Sequence, residues 1–265
     1  MIKLPQPLEI WQLTHRQIGR QVLRYSQLAS TNDLAAQFSG DPAHHGTIIL
    51  ADEQTAGRGQ YGRMWLAPPG SSVLMSIILF PPPELKRPAI LTACAAVAVS
   101  EAILHATGWQ ARIKWPNDVL LHGSKVCGIL IEQRHAAIIG IGLNVNQTAA
   151  ELEAACLPFA GSLAAATGKS YDPLEIARMV IERLDREYDL LMLGETAALE
   201  SCWKWRLGLL GRNVVIELFD GARHRGRLRE VTFGGLMLQN DDGLLRQFSP
   251  EQIRLLAEQT GESPA

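Results

Sequence analysis

Residues 51–76 read ADEQTAGRGQYGRMWLAPPGSSVLMS. Two arginines, Arg58 and Arg63, stand among glycines, and an apolar run follows at once. Glycine reaches backbone conformations closed to other residues and presents bare N–H groups, so such a loop can wrap a phosphate or a carboxylate. An arginine fork beside it adds charge-assisted hydrogen bonds, each worth roughly 1.5–3 kcal/mol. Thr47–Ala51 before the loop and Val73–Phe80 after it are apolar runs, which predicts two strands joined by an anion-binding loop.

Outward from this loop the pattern alternates between the two regular periods. Pro88 opens an alanine-rich helix that Gly108 ends. Ala111–Trp115 and Val119–His122 read as strands around the Pro116-Asn117-Asp118 turn. Gly123-Ser124 reverses the chain, and Lys125–Gln133 and Ala136–Val145 read as a strand pair. Asp172-Pro173 caps and opens a helix reaching about Leu193, and a further helix covers roughly Glu195–Arg206. After Leu207-Gly208 come short strand-like runs, Val214–Phe219, Gly226–Val231, Leu236–Gln239 and Leu244–Phe248, with Asp-Gly and Gly-Gly turns between them. The class is α+β: a mixed β-sheet flanked by helices over residues 1–208, a small β-barrel over 209–258, and a disordered tail over 259–265. Ile10, Leu13, Ile18, Val22 and Leu23 suggest a helical or mixed stretch packed on the main domain.

Composition narrows the classes. A chain of 265 residues with 47% hydrophobic and 20% charged residues can bury a full core. A formal net charge of −2 favours neither nucleic acid nor an anionic membrane globally. No apolar run approaches the roughly 20 residues of a membrane span, and no secretory signal opens the chain. Cys94, Cys127, Cys156 and Cys202 are widely spaced, so they read as reduced, mostly buried thiols rather than zinc ligands or disulfides. The expected location is cytoplasmic.

Three more segments sharpen the loop. They are Ser30-Thr31-Asn32; Lys114-Trp115-Pro116-Asn117-Asp118 with Lys125-Val126-Cys127-Gly128-Ile129-Leu130 close behind; and Gly140-Ile141-Gly142-Leu143-Asn144-Val145-Asn146. Together with Gly57-Arg58-Gly59 they resemble the biotin protein ligases from about Ser30 to Asn146, with weaker similarity to the C-terminus. The resemblance implies a class II synthetase-like catalytic domain with an SH3-like tail. It implies ATP with Mg²⁺ and biotin as substrates, no tightly bound prosthetic group, and no protein cage for a metal. The expected acceptor is the biotin carboxyl carrier protein domain of acetyl-CoA carboxylase, with no membrane or DNA partner. Repressor members carry an N-terminal winged helix-turn-helix, for which the twenty-nine residues before Ser30 are too few. Monomers and homodimers both occur among such proteins.

The chemistry brings two anions together, so cations and N–H donors should converge on one spot. Lys125, after a Gly-Ser reversal, is the first candidate; by resemblance it bridges the biotin carboxylate and the α-phosphate. Arg58 is the second, its planar fork suiting either anion. Asp118 reads equally as a partner for the incoming lysine ammonium or Mg²⁺ and as a turn-stabilising residue. By resemblance Ser30, Thr31, Asn32 and Gln54 belong to the biotin site, as do Gly57, Gly59 and Gln60; on sequence alone Ser30 and Thr31 read equally well as a helix N-cap before Leu34–Phe38. Gly128, Gly140 and Gly142 would be slots for its rings, and Leu130 an apolar wall. Arg63, Trp65, Asn117 and Asn144 would face the adenylate; bracing of the loop is the other reading of Arg63, and a core position that of Trp65. Gln60 departs from the commoner arginine, which predicts faster escape of the intermediate. Gly168-Lys169-Ser170 mimics a phosphate loop, but position 163 is Leu, and a helix end followed by a new cap explains it. Arg223, Arg225, Arg227 and Arg229 would share one strand face in a nearly neutral module.

Overall fold

The computed structural model describes residues 4–259. Its centre is an eight-stranded sheet of β1 (Glu9–Gln12), β2 (Gln21–Tyr25), β3 (Ile48–Ala51), β4 (Ser72–Leu79), β5 (Arg112–Lys114), β6 (Asp118–Leu121), β7 (Ser124–Gln133) and β8 (Ala137–Asn144). Across the sheet they run β1-β2-β3-β4-β8-β7-β6-β5. Strands β2 and β3 are parallel and the other neighbours antiparallel, which makes the sheet mixed.

Strands β3, β4 and β8 are buried along their whole length, so both faces are covered. Side chains alternate between faces, and neighbours therefore divide between two cores. Ile48, Leu50, Met75, Ile77, Ile139 and Ile141 enter the larger core, together with buried residues of α2 (Pro88–Thr107) and α5 (Pro173–Met192). Ile49, Ala51, Ile78 and Ile138 enter the smaller one with α1 (Thr31–Gln37). By length and composition α2 could cross a membrane, but 67% of its most apolar window is buried in the fold. Its hydrophobicity is that of a core helix.

The N-terminal stretch corrects the expectation of a partly helical segment, for it forms β1 and β2 at the sheet edge. Val22 and Leu23 are both buried, one in each core, which hides the two-residue period. A buried carboxylate fastens the connection between these strands. Asp185 of α5 accepts from the backbone N–H groups of Arg16, Gln17 and Ile18 at 3.0, 2.7 and 2.8 Å.

Two short helices, α3 (Ala149–Ala154) and α4 (Leu163–Thr167), follow β8; α3 was not foreseen, and α4 was expected only as a helix end at Gly168. Gly168 ends α4 in the left-handed region (φ 71°) and Asp172 caps α5, so Gly168-Lys169-Ser170 does span a helix end. After α6 (Thr196–Leu207) comes an antiparallel sheet of β9 (Asn213–Leu218), β10 (Arg223–Val231), β11 (Leu236–Gln239), β12 (Leu245–Phe248) and β13 (Ile253–Glu258). Its order is β12-β11-β10-β9-β13, and β13 is a fifth strand beyond the four expected. Arg223, Arg225, Arg227 and Arg229 are all exposed on β10. Arg254 and Arg223 hold the Glu217 carboxyl below the usual carboxylate range. The small sheet is fastened to the large one: Trp115 Nε1 donates to the Ile253 carbonyl (3.3 Å), and Arg87 Nη2 to the Phe233 carbonyl (2.8 Å). Of the expected tail, Gln259 donates its N–H to Asn213 (2.8 Å), and residues 260–265 lie outside the described residues.

The cysteines correct another expectation. Cys94 and Cys127 are buried, and burial pushes both thiols up, but Cys156 and Cys202 are exposed. Cys156 sits in a left-handed turn after α3 (φ 57°), which turns it away from any core.

Candidate active site

The floor of a cavity, with Gly128, Leu130, Gly140 and Gly142 at its centre, lies on the face presented by the even-numbered positions of three neighbouring strands. Along β7 these are Gly128, Leu130 and Glu132, paired in register with Gly142, Gly140 and Ile138 of β8. On β4, Ser76 lies opposite Gly140 and Leu74 opposite Gly142. Facing glycines leave this patch without side chains, and other groups descend onto it. A Cβ at position 140 would stand 2.4 Å from Asn32 Oδ1, and one at 142 would stand 2.5 Å from the Trp65 indole.

The start of α1 makes one wall. Ser30 caps the helix, its Oγ accepting weakly from Asp33 N at 3.4 Å. Thr31 donates both its N–H (2.7 Å) and its hydroxyl (3.0 Å) to Gln54 Oε1. Ser76 Oγ stands 2.7 Å from Thr31 Oγ1 and 2.5 Å from Asn32 Oδ1, and Asn32 Nδ2 donates to Glu132 Oε2 at 2.7 Å. Cap, hydroxyls and amide thus form one network above the glycine floor.

The glycine-arginine loop closes the top as a narrow hairpin. Trp65 N–H donates to the Gly57 carbonyl (2.9 Å) and Gly59 N–H to the Arg63 carbonyl (2.7 Å). The tip is a single 3-10 turn, Gln60–Gly62, with Tyr61 in the left-handed region (φ 59°). Arg58 reaches back from this hairpin: Nη1 donates to Asp33 Oδ1 at 2.6 Å and Nη2 to both Glu132 oxygens at 3.2 Å. These pairings, the Asp33 hydrogen bond foremost, raise the already high guanidinium pKa, so Arg58 is a fixed charge. Trp65 lies in the slot over Gly128 and Gly142, its buried Nε1 without a partner among the described residues.

Lys125 enters from the far end of β7. Its backbone N–H donates to the Phe159 carbonyl and its carbonyl accepts from Gly161 N–H, both at 2.8 Å, so the strand start is gripped from both sides. The ammonium sits 2.7 Å from Asp118 Oδ1 and 5.7 Å from the centre of the Trp65 ring. Asn117 is fixed beside it by its Nδ2 donating to the Ile129 carbonyl (2.8 Å).

All the residues expected at the site line this cavity except Gly57, Arg63, Asp118 and Asn144. Gly57 braces the loop, since a Cβ there would meet the Trp65 carbonyl at 2.7 Å. Arg63 is exposed, and Asp118 touches the cavity only through Lys125. Asn144 is buried, donating to the Gly161 carbonyl and accepting from Gln147 Nε2, each at 2.9 Å. Sequence reasoning missed Ser76 and Glu132; the only signal for either was strand parity with Gly140, Leu130 and Gly128. The cavity volume is about 50 Å³, against roughly 300–1,000 Å³ for ligand pockets in general. The Trp65 indole takes up the slot, so a bicyclic ligand enters only as that ring moves.

Residues 24–146 match the model of the biotin/lipoate A/B protein ligase family. Among curated proteins, the bifunctional ligase/repressor BirA of Bacillus subtilis is 33% identical, over 88% of this chain and 74% of its own. The biotin–[acetyl-CoA-carboxylase] ligase of Paracoccus denitrificans is 35% identical over 71% of this chain and 90% of its own. Among solved structures, the biotin protein ligase of Aquifex aeolicus in complex with biotin and ATP superimposes with a TM-score of 0.73. That match has 26% identity and covers 90% of this chain and 99% of the other.

Proposed function

The chain belongs to the biotin protein ligase family, and from that premise we propose that the glycine-floored cavity is where biotin and ATP meet. The protein is an ATP-dependent, AMP-forming ligase. It activates biotin as biotinyl-5′-AMP and transfers it to a lysine of a carboxyl carrier protein. The finer acceptor assignment is the biotin carboxyl carrier domain of acetyl-CoA carboxylase; two relatives are named as ligases of acetyl-CoA carboxylase.

In the first half-reaction a biotin carboxylate oxygen attacks the α-phosphorus and pyrophosphate leaves. Charge accumulates on the oxygens between the two reactants, and a cation positioned there favours the transition state over the separated anions. Lys125 is assigned that position. Its pairing with Asp118 holds the ammonium ready, and Arg58 supplies the second positive charge from the loop. In the second half-reaction a neutral acceptor amine attacks the acyl carbon and AMP leaves. Asp118 is then the carboxylate nearest to Lys125 that can take up the amine's proton.

The biotin ureido group needs two acceptors and a donor, since a buried polar atom left unpaired costs about 1–3 kcal/mol. Ser30, Thr31, Asn32 and Gln54 offer both kinds within one network, and Gly140 and Gly142 give the ring system a flat bed. The observation that carries the assignment is the convergence of Lys125 and Arg58 on that single cavity.

The test supplies purified protein with ATP·Mg²⁺, a carrier domain, and either biotin or lipoate, and follows the carrier by mass spectrometry. Gain of one biotinyl group with biotin alone is expected. Gain with lipoate alone would move the chain to the lipoate branch of the same family. Biotin binding with no gain on the carrier would make it a regulator.

A further inference from the structure

One carboxylate ties together the three elements that enclose the cavity. Glu132 stands on β7, past the floor positions Gly128 and Leu130 and on the same face. One of its oxygens accepts from Asn32 Nδ2 at the start of α1, and both accept from Arg58 Nη2 at the base of the hairpin loop. The other acceptor for Arg58, Asp33, is the more exposed of the two, at 46% against 25% for Glu132. Asp33 makes the shorter bond, 2.6 Å against 3.2 Å, but Glu132 is less screened by water and alone also holds Asn32, so it couples the loop to both β7 and α1.

Charge alone does not explain this residue. Arg58 lies between two carboxylates, which leaves one negative charge in excess around a guanidinium meant to receive an anion. Electrostatically Glu132 opposes the incoming ligand. Its contribution is position: it holds the loop shut over the floor while setting Asn32 above Gly140. We infer that Glu132 is a positioning residue that acts through Arg58, keeping the hairpin closed on bound biotin and on the adenylate. The inference rests on the biotin ligase reading above.

The expected effect follows from population. A ligand that binds the closed loop has an apparent affinity reduced by the fraction of molecules that are open. In Glu132→Gln the amide oxygen can still accept from Asn32, but Arg58 keeps only Asp33 on α1 and loses its charged anchor on β7. KM for biotin should rise about tenfold, the scale of one lost charged hydrogen bond at a partly exposed site, while kcat at saturating biotin stays within about twofold. Release of biotinyl-5′-AMP should quicken by a similar factor. Because Glu132 acts through Arg58, adding Glu132→Gln to Arg58→Ala should change KM no further, the non-additivity of coupled residues.

Steady-state kinetics on these three variants and wild type, with chase of labelled biotinyl-5′-AMP, decide the matter. Glu132→Asp offers a second reading if Glu132→Gln folds poorly. It keeps the charge but falls short of contacts already at 3.2 Å, so KM should again rise. Wild-type KM and release in both variants, or a full Glu132→Gln effect in the Arg58→Ala background, would overturn the inference. An active wild type with those results overturns it alone, whereas a wild type that forms no biotinyl-5′-AMP removes the ligase reading and this inference together.

Discussion

The two faces of the central sheet come from the same strands and behave oppositely. On β8 the odd positions Ile139, Ile141 and Leu143 are buried apolar side chains under the helical layer. The even positions between them read Ile138, Gly140, Gly142 and Asn144, passing from apolar through bare backbone to amide. On β7 the buried Cys127 and Ile129 alternate in the same way with Gly128 and Leu130. One face is filled to stability, and the other is emptied by glycine so that loop, helix end and two cations can meet there. Strand parity therefore separates residues that hold the fold from residues proposed to do the chemistry, within single four-residue windows.

That separation can be broken from either side. The largest effect belongs to Lys125: Lys125→Ala should lower biotin-dependent pyrophosphate release by about 10²–10³, the range for one preorganised donor, with little change in melting. Next is Gly142→Ala on the even face. A methyl there meets the Trp65 ring at 2.5 Å and covers the floor, so biotin affinity measured by calorimetry should fall at least tenfold, by about 1.4 kcal/mol or more. The neighbouring odd position should invert this pattern. Ile139→Ala should cost roughly 2–5 kcal/mol in denaturant unfolding and leave KM for biotin within about twofold. Smallest is Gln60→Arg at the loop tip, where an added charge should slow adenylate release a few fold. Equal effects on stability and affinity from Gly142→Ala and Ile139→Ala would erase the distinction between the faces.

How much of this was legible in sequence follows the same parity. Glycines and cations in unusual company, such as Gly57-Arg58-Gly59 or Lys125 three residues before Gly128, announce themselves because ordinary strands avoid them. Ser76 and Glu132 do not. A serine in an apolar strand and an acid near a strand end are commonplace, and only the register with β8 puts both on the face that carries the floor. Strands β1 and β2 were obscured because edge pairing and burial on both faces mixed their period. Strand β13 was missed because its pattern, Ile253 and Leu256 inward with Arg254 outward, is interrupted by a bulge before Leu255. The tie from Asp185 to residues 16–18 joins points too distant in sequence for any local pattern to reveal.

The most direct test is a crystal structure with a non-hydrolysable biotinyl-5′-AMP analogue bound. The account places the bicyclic ring on Gly140 and Gly142, Trp65 displaced from its slot, and Lys125 Nζ and the Arg58 guanidinium within hydrogen-bond distance of the acyl and phosphoryl oxygens. An analogue bound elsewhere, with Lys125 still on Asp118 and Arg58 turned to solvent, would contradict it.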